Sequence, residues 1–128
     1  MRQNNDIETA LYERLDADKY NASAHKVPAS LGENLPHVHV TRTGGYTEDM
    51  VIEAHNVDFD VYAADEADAM EAAAGLCDWV RELSGTRTGT FCYASEVLTL
   101  PYGNPDPRHQ TLARATFKAL IQTRTKGA

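Results

Sequence analysis

The chain has 128 residues and a formal charge of −7, with 42% hydrophobic and 24% charged side chains. That length suits one domain with a core of its own, and the composition is that of a globular protein, not a disordered tail. The surplus of carboxylates repels phosphate backbones, which argues against a grip on nucleic acid through a basic patch.

Residues 1–6 hold no apolar run, so no signal peptide is expected. No run of about 18 apolar residues occurs, so no membrane span is expected. The first predicted element is a helix over residues 6–16, capped by Asp6, with Ile7, Leu11 and Leu15 on one face beside Ala10. Pro28, Gly32 and Pro36 break the stretch 19–36 into a linker, with at most a short strand near residues 25–27.

In residues 37–43, Val38 and Val40 alternate with His37, His39 and Thr41, which predicts a half-buried strand. Gly44 and Gly45 then predict a turn with Glu48 and Asp49 at its tip. A second strand follows within 50–63, where Val57, Phe59, Val61 and Ala63 alternate with Asp58, Asp60 and Tyr62. The pair reads as an antiparallel hairpin.

Asp65 opens a second helix whose apolar stripe is Ala69, Ala73, Leu76, Val80 and Leu83, closed by Gly85. A strand is expected over 90–100, broken by Pro101, and the three prolines of 101–107 read as an exposed loop. The alternation of Ala113, Ala115, Phe117, Ala119 and Ile121 with polar residues favours a final strand within 110–124, although its composition would also suit a helix. The expected architecture is α/β of the α+β kind: a small antiparallel or mixed sheet of about four strands, with two helices packed on it. The expected order is α-β-β-α-β-β.

Few residues promise chemistry. His37 and His39 share a strand face, and His55 on the hairpin partner could join them in a small metal-binding module, but His25 and His109 are scattered. Asp58 and Asp60 form a D-x-D on one face, without the Gly-rich phosphate loop that usually accompanies a magnesium or acid–base pair, so an acidic strand face is expected. Cys77 and Cys92 suit buried reduced thiols, and neither has a histidine at a nucleophile spacing. Ser84 and Ser95 have no evident partners. Trp79 reads as a packing residue at the edge of the helix stripe, with an interface anchor as the alternative. The expectation is a structural protein without metal or cofactor, not an enzyme.

The run VHVTRTGGYTEDMVIEAHNVDFDVYAADEADAMEAA and the later PYGNPDPRHQTLARATFKALIQTR resemble the tail terminator proteins of long-tailed bacteriophages, especially those of actinobacterial phages. The resemblance rests on V-x-R-x-G-G at residues 40–45, V-Y-A at 61–63, the alanine-rich helix at 66–83, P-x-x-x-P-D-P at 101–107 and a last strand ending in Arg124. It covers residues 35–124. Many relatives carry an aromatic residue, often tryptophan, before P-D-P, where this chain has Tyr102, Gly103 and Asn104.

The resemblance implies a homo-oligomeric, hexameric ring that caps the head-proximal end of the tail tube. Its partners would be the tail tube protein and the head completion (stopper) protein, with DNA passing through the lumen unbound and no membrane contact. It would reside at the neck of the virion tail, and in the host cytoplasm during assembly. A head–tail connector, or neck protein, is the neighbouring reading. The surface expected to carry the contacts is Gly44, Gly45, Tyr46, Glu48 and Asp49 at the hairpin tip, with Tyr102, Asp106 and Arg108 in the proline loop.

Overall fold

The computed structural model describes residues 6–47, 51–88 and 90–124. Helix α1 (Ile7–Ala17) is capped by Asp6, whose carboxylate accepts from the Thr9 amide at 3.1 Å and the Thr9 hydroxyl at 2.7 Å. Its apolar stripe Ile7, Ala10, Leu11 and Leu15 is buried, as the four-residue spacing requires. The chain then passes through Lys19, at φ 72° in the left-handed region, into β1 (Asn21–Ala24).

Strand β1 is absent from the sequence expectation, which placed a weak strand further on and a linker here. It pairs parallel with β2 (His37–Thr47) over residues 37–40, after a single 3-10 turn at Leu31–Glu33. Strand β2 pairs antiparallel with β3 (Ile52–Ala63). Helix α2 (Glu66–Arg81) starts at Asp65, whose side chain accepts from the Asp68 amide at 2.8 Å. The two-residue β4 (Arg87–Thr88), the long β5 (Thr90–Gly103) and β6 (Ala113–Arg124) follow.

The sheet order is β1-β2-β3-β6-β5-β4, with β1 parallel to β2 and all other pairs antiparallel. The fold is therefore α+β with a mixed sheet. It has five principal strands, one more than expected, and β4 is a short extension at the start of β5. The expected final strand is present as β6.

Both helices lie on one face. Cross-strand partners point the same way, so the register sets Val40, Phe59 and Phe117 in one row, and Val38, Val61 and Ala115 in the next. These residues join Leu11 and Leu15 of α1 and Ala73, Leu76 and Val80 of α2 in one buried cluster. Phe59 and Phe117 stack with ring centroids 5.0 Å apart, and Trp79 meets Phe59 edge-on at 6.4 Å.

Two expectations about breakers are corrected. Gly44 and Gly45 do not make the hairpin turn, because β2 continues through them to Thr47. They sit at a β-bulge where the register shifts between Arg42 and Gly44, and Gly44 supplies the required positive φ of 154°. Pro101 does not break β5, which runs on to Gly103. Among the described residues β4 pairs only with the first residues of β5, so Pro101 lies where the outer edge is bare and no ladder partner needs its missing N–H.

Candidate functional site

The sheet face away from the helices is polar, and its side chains are largely bonded to one another. Asp106, expected on an exposed loop, is only 4% exposed and forms the hub of this network. One carboxylate oxygen accepts from the Tyr62 hydroxyl at 2.9 Å and lies 3.0 Å from His109 Nδ1; the other accepts from the Arg108 amide at 3.0 Å. Arg114 stands 3.6 Å from the first oxygen, donates from Nε to the Asn104 carbonyl at 2.6 Å, and lies over the Tyr62 ring. Burial pushes the Asp106 carboxyl up, but the Arg108 amide, His109, Tyr62 and Arg114 outweigh it and hold the group well below the usual carboxylate range. Both oxygens are engaged, so this carboxylate latches the β5–β6 loop to the sheet and is not placed to move protons. Arg108 beside it keeps an exposed side chain.

Asp58 and Asp60 continue the same face. Lys118 pairs with Asp58 at 3.0 and 3.2 Å, and the Thr116 hydroxyl donates to Asp60 at 2.6 Å. The D-x-D is thus matched by β6 and does not offer two open carboxylates.

The three histidines do not converge. His37 and His39 lie opposite Tyr62 and Asp60 on the polar face, whereas His55 has the parity of Val57 and Phe59 and faces the helix side. His37 and His39 were expected on a wet face, yet both are buried, beside Ser23 of the neighbouring strand β1. The Ser23 hydroxyl bridges them, 2.8 Å from His37 Nε2 and 2.7 Å from His39 Nδ1. Burial lowers both imidazole pKa values, further for His37 through its neighbour His39. A serine beside an imidazole is also how a nucleophile–base pair begins, but this hydroxyl is buried and held on both sides. It knits β1 to β2.

His55, fully buried, receives a hydrogen bond on Nδ1 from Arg42 Nε at 2.9 Å. A guanidinium can only donate, so the ring proton sits on Nε2, which is 3.2 Å from Thr123 Oγ1 and 3.4 Å from Glu53. Burial, with the Arg42 charge adding to it, lowers the His55 pKa to about 4. Both cysteines are free and buried, and burial raises Cys92 to about 11, so neither is an activated thiol. Ser84, in the turn after α2, and Ser95 of β5 partner each other at 3.1 Å. Among the described residues no group of three or more His, Cys, Asp or Glu could hold a metal ion, and no helix is long and apolar enough to cross a membrane.

The remaining expected contact residues divide cleanly. Tyr46 is 54% exposed on β2 and Tyr102 is 38% exposed, but on β5 and not in a loop. Trp79 is buried, donating Nε1–H to Asp18 at 2.8 Å, so it is a packing residue and not a surface anchor. Glu48 and Asp49 lie outside the described residues.

Sequence reasoning overlooked Leu98 and Leu100, which are 51% and 69% exposed on the outer strand β5. The signal was present. Val97, Leu98, Leu100 and Tyr102 are apolar at both parities of one strand, which a strand with a single buried face does not need. No protein-family model matches the chain, and a search of curated proteins finds no significant relative.

Proposed function

We propose that this chain is a structural subunit of the tail-terminator kind. Its copies close into a hexameric ring that caps the head-proximal end of a phage tail tube and offers its other side to the head completion protein. The observation that carries the reading is the placing of apolar exposure. Leu98, Leu100 and Tyr102 crowd the outer strand of the sheet, while the polar groups that could do chemistry are bonded within the chain. Long bare edges with apolar side chains are usually covered by another chain. A ring repeats one heterologous contact around its axis, which such an edge can supply. The net charge of −7 suits a lumen through which DNA slides without adhering. The reading assigns the chain no reaction and no cofactor.

The test is to add the purified chain to polymerising tail-tube subunits from the same source. Growth should stop at a defined length, with a ring of this chain at one tube end in electron micrographs. Tubes of unchanged length distribution carrying none of the chain overturn the reading.

A further inference from the structure

The two sides of the sheet carry matching features. On one side the exposed Glu96 precedes Leu98 and Leu100 along β5. On the other an open groove runs beside β1, lined by Tyr12 of α1, Ala22 and Ala24 of β1, and Pro28, with Thr9, Ser23 and His25 as its polar members and His25 held by Asp6 and Glu8. The exposed Lys26 follows the lining residue His25 in the chain. Among the described residues neither Glu96 nor Lys26 makes an ion pair. The bulges in β5 between Val97 and Thr99 and between Thr99 and Tyr102, with Pro101 among them, spoil a regular ladder along this edge. Contact by side chains is therefore favoured over the addition of a strand.

Resting on the ring-forming reading above, we infer that the occupant of the β1 groove is a second copy of this chain, which inserts Leu98 and Leu100 of β5. Glu96 of each copy then faces Lys26 of the next. The knob and the groove lie at opposite ends of the sheet, so a copy that fills its neighbour's groove leaves its own groove open for a third. That is the head-to-tail geometry from which a ring closes.

The charges give the test, because both side chains are exposed and can be reversed without touching the core. Self-association of the isolated chain is followed by sedimentation over a wide concentration range for wild type, E96K, K26E and the double variant. Each single reversal sets like charges face to face and raises the apparent dissociation constant severalfold, up to about tenfold. The double variant restores it. An equimolar mixture of E96K and K26E also assembles, since every joint then pairs Lys with Glu, and alternation closes only rings with an even number of copies. Impairment of E96K with K26E unaffected indicates β5 meeting β5 and overturns the inference. Wild type and all variants assembling equally also overturns it, while leaving the ring reading intact. A wild type that stays monomeric, with E96K impaired only in binding tube subunits, assigns the β5 knob to the tube protein and overturns the inference. The tube-capping assay judges the ring reading separately.

Discussion

Asp106 and His55 each make stability depend on pH, in windows that do not coincide. His55 has a folded pKa of about 4, against roughly 6.5 for a free imidazole. Between those values the unfolded chain binds a proton that the folded chain refuses. Its stabilising contribution is complete above about pH 6.5 and lost as pH falls, by about 3 kcal/mol at the lower end. His37 and His39 are shifted in the same direction and add to the slope. Asp106 is depressed below the ordinary carboxylate value of roughly 4, so its contribution holds above that pH and is lost only beneath it. In urea melts across pH, H55Q should flatten part of the upper slope, because a glutamine can accept from Arg42 and donate to Thr123. D106N should instead flatten the lower one. A D106N chain that keeps the full acid sensitivity below pH 4 would show that the Tyr62–His109–Arg114 latch is not what holds the loop. Neither site was legible as such. Pro105, Asp106 and Pro107 read as a solvated loop, and nothing local announces that Tyr62, far away in sequence, turns its hydroxyl toward them.

At the scale of elements, α2, β3 and β6 were legible because each carries an uninterrupted period matched to its burial. Strand β1 was not, because Asn21–Ala24 is short and its stabilising partners, His37 and His39, come from a parallel neighbour. The glycine pair was misread for a different reason. Gly45 lies opposite His55, and a Cβ there would run into the Ala54 carbonyl and come within 2.9 Å of the Arg42 guanidinium. Its lack of a side chain is what lets Arg42 reach across to His55. Gly45→Ala therefore meets backbone that cannot yield and should cost about 1–3 kcal/mol in denaturant unfolding, as overpacking does. The same substitution should weaken the Arg42–His55 bond and move the His55 midpoint upward, as seen by NMR titration. A G45A chain as stable as wild type would mean that the bulge relaxes to make room.

At the scale of the whole molecule, the proposed ring sets net charge against apolar contact, and ionic strength separates them. Each copy carries −7, so neighbouring copies repel. At about 0.01 M salt the screening length is roughly 30 Å and the repulsion acts between whole subunits; at about 0.15 M it is roughly 8 Å and mostly gone. An exposed Glu96–Lys26 pair is worth only about 0–1 kcal/mol, and salt weakens it. Burial of Leu98 and Leu100 is insensitive to salt over this range, and covering what each still exposes, 51% and 69%, is worth about 1–2 kcal/mol apiece. Salt thus screens one weak ion pair per joint, but it also screens the repulsion between whole subunits that each carry −7. Self-association measured by sedimentation should tighten as salt rises from about 0.01 to 0.15 M, and then level off. Association that weakens steadily across that interval would mean that ion pairs, not the leucines of β5, hold the copies together.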